Sequence, residues 1–154
     1  MPHDPGPSRF VFDIGRAVAG EDLVATGADL EASTILAAYR AGVFPMGLGR
    51  HGGAPIGWWS PDPRGVLRPD DLRVSRSLRR SAAHLRVTVD TAFPAVMRGC
   101  ADPGREGRWI TRQVTRAYTD LHSLGWAHSV EVWSGDELVG GLYGIAIGGL
   151  FAGE

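Results

Sequence analysis

Apolar and polar residues alternate along the last third of the chain, a pattern that predicts β-strands. Between residues 128 and 133, Val130 and Val132 share one face of the predicted strand. Ser129 and Glu131 share the opposite face. A turn at 134–136 separates this run from a longer strand over residues 137–147, and because the turn is short we expect the two strands to pair antiparallel.

Gly148 and Gly149 form a second hairpin signal, after which a third strand begins at Leu150. The predicted product is an antiparallel meander that reaches the last residue, Glu154. A strand at the end of a meander exposes an unpaired edge, which a complete domain normally pairs or covers. We therefore expect this sequence to be the front part of a longer protein.

Helical spacing of apolar residues predicts four helices. The clearest runs from Thr111 to Leu124, where Thr111 is the N-cap and Gly125 ends the helix. A helix over 29–42 can be capped by Asp29 or Ser33 and ended by Gly42. The other predicted elements are a helix from Ser75 or Ser77 to His84, a helix over Thr91–Cys100, a strand over Leu85–Asp90 and a short extended segment over Val66–Leu72.

The fold class that these elements predict is α+β. Residues 56–64 combine two tryptophans with two prolines, which indicates a short strand entering a rigid turn. We place a domain boundary there, between a small N-terminal α+β domain over 1–62 and a second domain over 63–154. Residues 1–8 are Pro-rich and predicted to be mobile, and residues 10–28 are too broken by glycines to assign.

Composition narrows the class of protein. With 44% hydrophobic and 21% charged residues the chain can build a core, and its formal net charge of −1 gives no overall attraction to nucleic acid. A single cysteine excludes an intramolecular disulfide, and no signal peptide or membrane span is present in the sequence. We predict a soluble, intracellular protein.

Motif searches for common catalytic sites give weak signals. Ser129 adjoins His128, but neighbours on a strand point to opposite faces and the Gly-x-Ser-x-Gly elbow is absent, so a hydrolase triad is disfavoured. No HExxH or Cys/His spacing indicates a metal site, and His122 and His128 are interpreted as hydrogen-bonded structural residues. The glycines of 140–149 lack the ending of a phosphate-binding loop, and glycines in a strand more often mark a bulge or the close approach of a ligand or second backbone.

A cluster of arginines is the main candidate for binding nucleic acid. Arg76, Arg79 and Arg80 share one face of a predicted helix, and no acidic residue interrupts the stretch. The whole cluster comprises Arg73, Arg76, Arg79, Arg80 and Arg86. Its alternative interpretation is a solvated surface face. Glu131 and Glu154 are strand-associated carboxylates that can serve in acid–base chemistry, although a surface position is the default expectation for both.

Six stretches follow one another in order from about Thr34 to the end, namely ILAAYRAGVFP, IGWWSPDPRGVL, VSRSLRR, TVDTAFPAVMRGCA, WITRQVTRAYTDLHSLGWAHSVEVW and LVGGLYGIAIGGLFAGE. Together they resemble the bacterial leucyl/phenylalanyl-tRNA–protein transferases. The resemblance implies a C-terminal domain of the N-acetyltransferase-like (GNAT) fold. It also implies transfer of Leu, Phe or Met from aminoacyl-tRNA to the N-terminal Arg or Lys of a protein in the cytoplasm, which marks that protein for degradation by the N-end rule.

The same resemblance assigns roles to individual residues. Trp109 and Tyr118 match an aromatic pair at the aminoacyl-adenosine site, and Met46 stands where many members have a Trp in that site. Glu154 matches a glutamate at the reacting end of the substrate and is the expected catalytic residue. The arginine cluster becomes a contact for the tRNA acceptor stem. No metal or cofactor is expected, because an aminoacyl ester is already activated.

The sequence departs from the family at its end, where members continue with a long segment that completes the GNAT sheet and supplies acidic and amide residues. We therefore expect this chain alone to be poorly active and prone to aggregate at its open edge. Two alternatives remain open from the sequence. One is a GNAT-like acyltransferase that uses acyl-CoA, and the other is a non-catalytic module that binds tRNA or peptide.

Overall fold

The structure is a computed structural model that describes residues 1–16 and 20–154. These residues form two antiparallel sheets and four α-helices, which confirms the predicted α+β class. The strands are β1 (Leu23–Thr26), β2 (Phe44–Gly47), β3 (Ile56–Trp59), β4 (Arg86–Val89), β5 (Ala127–Ser134), β6 (Glu137–Ile147) and β7 (Leu150–Gly153). The helices are α1 (Ala32–Arg40), α2 (Arg76–Ala82), α3 (Phe93–Cys100) and α4 (Arg112–Ser123).

The first sheet has the order β1-β3-β2, with the tryptophan-containing strand in the centre. Trp58 is fully buried, and its indole Nε1 donates a hydrogen bond of 2.8 Å to the carbonyl of Gly27. Strand β1 lies in the stretch 10–28 that the sequence left unassigned; within that stretch, residues 17–19 lie outside the described residues. A buried indole with a paired N–H explains how so small a sheet obtains a core.

Helix α1 begins later than predicted. It starts at Ala32 and is preceded by Glu31, whose side chain makes no capping hydrogen bond, so both proposed caps were wrong. Asp29 instead accepts a hydrogen bond from the backbone N–H of Glu31 at 3.1 Å and holds the turn before the helix. The predicted end is confirmed, because Gly42 follows the helix with φ +79° and its N–H bonds to the carbonyl of Tyr39.

The second sheet has the order β4-β5-β6-β7, and its last three strands are the predicted meander. Gly135 and Gly148 occupy the two turns with positive φ, as hairpins of this kind require. Gly144 faces the backbone of Ala152 so closely that a Cβ there would collide with it. This glycine therefore marks the close approach of a second backbone. Strand β7 pairs only with β6 among the described residues, so one of its edges is open.

One contiguous core joins the two sheets. Helices α3 and α4 pack on one face of β5 and β6, while α1 packs between α4 and the first sheet. The predicted helix over 111–124 is confirmed with its cap, since the hydroxyl of Thr111 accepts from the N–H of Val114 at 3.2 Å. The largest fully buried side chains are Trp58, Tyr118, Tyr143, Phe93, Ile35, Leu36, Met97, Leu121, Ile145 and Glu131.

Strand β5 turns its polar face toward this core, so the expectation of a surface position for Glu131 was wrong. Glu131 and Ser129 are both 0% exposed, whereas Val130 and Val132 are half-buried on the other face. The carboxylate accepts hydrogen bonds from Thr88 Oγ1 at 2.6 Å, Thr91 Oγ1 at 2.9 Å and Ser129 Oγ at 2.5 Å. It also accepts from the N–H of Ala92, the N-cap residue of α3, at 3.3 Å. These donors replace water and lower the pKa of Glu131 to about 2 despite burial, which raises it.

Replacing Glu131 with Gln is expected to lower the free energy of unfolding at neutral pH by about 2 kcal/mol, because an amide cannot accept all of these hydrogen bonds. The carboxylate is more acidic in the folded state than in the unfolded chain. Its stabilising contribution is therefore complete above the ordinary pKa of about 4.5 and is lost as the pH falls toward about 2. Urea unfolding at several pH values measures both effects. The exposed Glu137→Gln is the matched control, and parallel pH curves for wild type and Glu131→Gln would contradict the assignment.

The segment between the two sheets lies outside the core. Every residue from 62 to 87 is exposed, including all of α2. Ser75 caps this helix as predicted, by accepting from the N–H of Leu78 at 3.1 Å. The predicted extended structure over Val66–Leu72 was wrong: no strand forms there, and Pro69–Asp71 is a short 3-10 helix. Proline at the first position of that turn and the absence of a neighbouring strand explain the difference.

The first residues of the chain contact the end of α4. The N–H of His3 donates to the carbonyl of Leu124 at 2.8 Å, and Trp126 Nε1 donates to the carbonyl of His3 at 2.8 Å. The mobility expected for residues 1–8 stays a prediction. Within residues 1–16 and 20–154, none of the helices combines the length and hydrophobicity needed to cross a bilayer.

Candidate functional site

Glu154, the residue after β7, lies beside tyrosines from α1 and α4. Its Oε1 accepts a hydrogen bond from the hydroxyl of Tyr39 on α1, and that hydroxyl lies 2.7 Å from the hydroxyl of Tyr118 on α4. The backbone N–H of Glu154 donates to the carbonyl of Tyr143 on β6 at 2.8 Å. Glu154 is thus partly buried, and the default expectation of a surface position was wrong for it as well.

The direction of these hydrogen bonds follows from counting protons. A phenol has one O–H, and Tyr39 gives its proton to the carboxylate of Glu154. Tyr118 must then donate in the bond between the two hydroxyls. The result is a chain that runs from Tyr118 through Tyr39 to Glu154, along which a proton can move without leaving the protein.

Burial of Glu154 disfavours its ionised form and raises its pKa to about 7. The hydrogen bond from Tyr39 and the positive charge of Arg64 act in the opposite direction and keep the pKa from rising further. Burial also raises the pKa of Tyr39 and Tyr118, so both phenols keep their protons. A carboxyl group with a pKa near neutrality can both accept and return a proton under physiological conditions.

Tyr143 completes the aromatic wall behind the carboxylate. Its ring meets that of Tyr118 edge-on at 5.2 Å, and its hydroxyl is buried without a hydrogen-bond partner among the residues that the structure describes. A buried phenol that lacks a partner is energetically unfavourable. The Tyr143 hydroxyl is therefore a candidate to form a hydrogen bond with a ligand.

Replacing Tyr39 with Phe is expected to raise the pKa of Glu154 above about 7, because the carboxylate loses its hydrogen-bond donor. Carboxyl-carbon NMR titration of the labelled glutamates measures this shift directly. Tyr118→Phe is the matched control, since that hydroxyl reaches Glu154 only through Tyr39 and should change the pKa less. An unchanged Glu154 pKa in the Tyr39→Phe protein would contradict the proposed direction of the chain.

Two cavities border Glu154. The larger, of about 300 Å³, is lined by Tyr39, Phe44, Arg64, Gly65, Val66, Leu67, Leu150, Phe151, Ala152, Gly153 and Glu154. The smaller, of about 100 Å³, is lined by Cys100, Arg105, Glu106, Gly107, Arg108, Trp109, Ile110 and Glu154. The carboxylate is therefore accessible from a mainly apolar chamber on one side and from the polar loop before α4 on the other.

The structure brings together three of the residues selected from the sequence. Trp109 and Glu154 line the smaller cavity, and Tyr118 joins Glu154 through Tyr39. The glycine-rich loop after β2 holds Trp109 in place, because Gly52, with φ +77°, lies directly against the Trp109 backbone and has no room for a Cβ.

Met46, unlike Trp109 and Tyr118, is not joined to Glu154 by a shared cavity or a hydrogen-bond chain among the described residues. It is half-buried on β2, opposite Gly57 of β3, and its carbonyl accepts from Trp59 Nε1 at 3.1 Å. Among the described residues, those that line the two cavities at Glu154 do not include Met46. Its role at an aminoacyl-adenosine site stays a prediction.

The five arginines of the predicted cluster are all exposed on or beside α2. Arg86, at the start of β4, places its guanidinium 5.2 Å above the ring of Trp133, and the others lie at the surface. The cluster contributes no residue to the lining of the two cavities at Glu154. It therefore forms a surface distinct from the cavities, available to a large anionic partner.

The interpretation of the histidines as hydrogen-bonded structural residues is confirmed. His122 Nδ1 lies 2.9 Å from the carbonyl of Ala127, and His128 Nδ1 lies 2.7 Å from a carboxylate oxygen of Asp90. Ser129 gives its hydroxyl proton to Glu131, so Ser129 and His128 do not form a catalytic pair. Over the described part of the chain, no group of three or more His, Cys, Asp or Glu is arranged to hold a metal ion.

Sequence reasoning missed Tyr39, Phe44 and Arg64, which belong to the site. Tyr39 falls within the helix predicted over 29–42, a prediction that gives no role to its hydroxyl. Its position three residues before the helix-ending Gly42 gives no sign that its hydroxyl reaches a residue 115 positions later. Only the packing of α1 against α4 and β6 reveals that contact.

A carboxyl group with a raised pKa, joined to phenols and flanked by an apolar chamber, is an arrangement suited to proton transfer beside an apolar ligand. Comparison with known proteins identifies the protein family. Residues 66–154 match the family model for leucyl/phenylalanyl-tRNA protein transferase, and residues 28–62 match the model for the N-terminal domain of that transferase. The chain belongs to the leucyl/phenylalanyl-tRNA–protein transferase family.

Similar proteins carry the same description. A leucyl/phenylalanyl-tRNA–protein transferase of Shigella sonnei is 54% identical over 134 residues, which cover 86% of this chain and 56% of that protein. Two such transferases from Escherichia coli strains are 53% identical over the same length and with the same coverage. The chain thus spans a little more than half the length of the curated relatives that it matches.

Proposed function

We propose that this chain forms part of an enzyme that transfers Leu or Phe, and also Met, from aminoacyl-tRNA to the N-terminal Arg or Lys of an acceptor protein. Family membership supports the reaction class. The observation that carries the proposal for this chain is the placement of Glu154, which touches two cavities and has a pKa of about 7. Transfer of this kind would mark the acceptor for N-end rule degradation in the cytoplasm, where aminoacyl-tRNA is present.

The reaction needs positioning and proton transfer. The α-amine of the acceptor attacks the ester carbonyl of the aminoacyl group, a new amide bond forms, and the bond to the ribose oxygen breaks. The amine loses a proton and the ribose oxygen gains one, so no net proton is consumed. We assign to ionised Glu154 the acceptance of the amine proton and its return to the leaving ribose oxygen, and to the Tyr118–Tyr39 chain the stabilisation of the carboxylate.

The apolar chamber suits the side chain that is transferred. Phe44, Leu150 and Phe151 line it, and an apolar pocket distinguishes ligands by only about 1–3 kcal/mol per methylene. A site of this kind accepts both Leu and Phe. We further propose that Trp109 stacks on the adenine of the terminal nucleotide, since its ring borders the smaller cavity beside Glu154.

The domain division also enters as a proposal. We assign residues 1–62 to an N-terminal α+β domain and residues 63–154 to the first part of a GNAT-like catalytic domain. The four-stranded antiparallel sheet with α3 and α4 on one face supports this assignment. No metal or cofactor takes part in the proposed reaction, because the ester already carries the energy for amide formation.

The test uses the 154-residue chain, Leu-tRNA with radiolabelled Leu, and a peptide that begins with Arg. Label that appears in this peptide, and not in the same peptide beginning with Asp, supports the proposed transfer. Bound tRNA without transfer would fit the expectation that this chain alone is poorly active. Absence of transfer also from a protein as long as the matched relatives would favour a binding module. Binding of acetyl-CoA would favour the acyl-CoA alternative.

A further inference from the structure

Arg64 is a cation at the rim of the larger cavity that has no assigned role. It follows β3 and is exposed, yet its guanidinium is fixed at two points. One N–H of the Nη2 group donates to the carbonyl of Gly42 at 2.9 Å, and the guanidinium carbon lies 5.5 Å from the centre of the Phe44 ring. The carbonyl of Gly42 also accepts from Ser60 Oγ at 3.1 Å, which ties the same segment to the end of α1. The side chain is therefore oriented in advance of binding.

The charge of Arg64 is not neutralised by the protein. Within the described part of the chain, no carboxylate lies within salt-bridge distance of its guanidinium. A guanidinium has five N–H donors, and the bond to Gly42 uses one of them. The remaining fork is available to a ligand, and its planar geometry matches the oxygen pair of a phosphate better than an ammonium group does.

Arg64 and Glu154 line the same cavity, together with several apolar side chains. The positive charge lowers the pKa of Glu154, which shows that the two groups are within electrostatic range. The other polar groups of this site are Tyr39 on α1, Tyr118 on α4 and Tyr143 on β6, and Arg105, Glu106 and Arg108, which line the smaller cavity with Glu154. Arg64 is the cation among them that lies in the larger cavity.

We propose that Arg64 binds the phosphodiester that precedes the terminal nucleotide of aminoacyl-tRNA, and so fixes the aminoacyl ester against Glu154. The proposal rests on the proposed function and adds a contact to the same site. Anchoring by the Gly42 carbonyl and the Phe44 ring makes the guanidinium a preorganised clamp, so binding the phosphate requires little further ordering of the side chain. The contact is to the sugar–phosphate backbone of the nucleic acid and does not depend on its base sequence.

The experiment compares two small probes with the whole 154-residue chain. Both are phenylalanyl-adenosine analogues in which a stable amide replaces the ester; one ends in a 5′-hydroxyl and the other in a 5′-phosphate. Wild-type protein is expected to bind the phosphorylated probe about tenfold more tightly, as a charge-assisted contact requires. Arg64→Gln should remove this preference and leave the affinity for the 5′-hydroxyl probe within about twofold of wild type.

Two further variants distinguish the effect of the Arg64 charge from that of its planar geometry and from a general effect of losing an exposed arginine. Arg64→Lys keeps the charge without the fork and should retain only part of the preference. Arg68→Gln removes another exposed arginine, four positions later, that pairs with Asp71 at 3.8 Å, and should leave the preference intact. Thermal unfolding of each variant confirms that it is folded.

The outcomes distinguish this proposal from the proposed function. Equal affinity of wild-type protein for the two probes would overturn the role of Arg64 while leaving the adenosine site in place. A preference for the phosphate that survives in Arg64→Gln would also overturn it. If wild-type protein binds neither probe, the proposed function itself fails, and the role of Arg64 fails with it.

Discussion

Replacing Glu154 with Gln is expected to lower the rate of transfer from Phe-tRNA to an Arg-peptide by a factor of about 10²–10⁴, the usual contribution of a positioned general base. An amide of the same shape keeps the hydrogen bond to the backbone carbonyl of Tyr143, because that bond uses the main chain of residue 154. It cannot accept a proton at neutral pH. Single-turnover rates with saturating aminoacyl-tRNA measure the chemical step, and Glu137→Gln on the exposed end of β6 is the control.

The dependence on pH provides a second signature of Glu154. If ionised Glu154 is the base, the wild-type rate rises as the pH passes through about 7, whereas Glu154→Gln keeps only the rise that the acceptor α-amine gives as it loses its proton at about 7.7–8.0. Because the pKa is raised on folding, the wild-type carboxylate opposes folding once it ionises, so the variant should be no less stable than wild type above pH 7. A Glu154→Gln protein that transfers at nearly the wild-type rate would exclude Glu154 as the base.

Reversing Arg76, Arg79 and Arg80 to Glu is expected to weaken binding of tRNA by at least about tenfold at low salt. The number of counterions released on binding, which sets the salt dependence of the affinity, should fall by about two to three. The reason is the exposure of all three side chains on α2, where they can reach phosphates of the acceptor stem. Filter binding or fluorescence anisotropy over a range of salt concentrations gives the slope. Binding of the small adenosine probes should not change, because α2 contributes no residue to the lining of the two cavities at Glu154.

A charge-matched variant controls for the change in net charge. Arg98, Arg112 and Arg116 are exposed on α3 and α4, and their reversal to Glu alters the total charge by the same amount. If both triple variants lose tRNA binding equally, the attraction is a property of the whole surface. If neither variant loses binding, the arginine cluster is not part of the tRNA contact.

The sequence was most reliable where the local pattern decides the structure. The meander of β5, β6 and β7 was predicted from alternation and from two glycine turns. Helix α4 was predicted with its Thr111 cap and with Gly125 at its end, because capping and the left-handed C-terminal position depend on neighbouring residues alone. The family was also evident from sequence strings, which the comparisons confirm.

Errors arose where distant residues compete for one polar group. Asp29 was a reasonable helix cap by type, yet it bonds to the turn at Glu31 and pairs with Arg9 at 2.9 Å. Glu131 was expected at the surface because an isolated buried carboxylate is costly. Its hydrogen-bond donors are threonines from β4 and the following turn, Ser129 on β5 and the start of α3. No sequence pattern shows that these elements meet.

By itself, the sequence determined the α+β class, most of the helix and strand positions and the family, since these follow from periodicity, caps, turns and recognisable strings. It also identified Glu154, Trp109 and Tyr118 as residues of interest. Only the tertiary structure decided that Tyr39 links Tyr118 to Glu154 and that Arg64 faces the same cavity. The physical reason is that hydrogen bonds and desolvation depend on the distances between groups that are far apart in the chain. Those distances are set only when α1, α4 and β6 pack together.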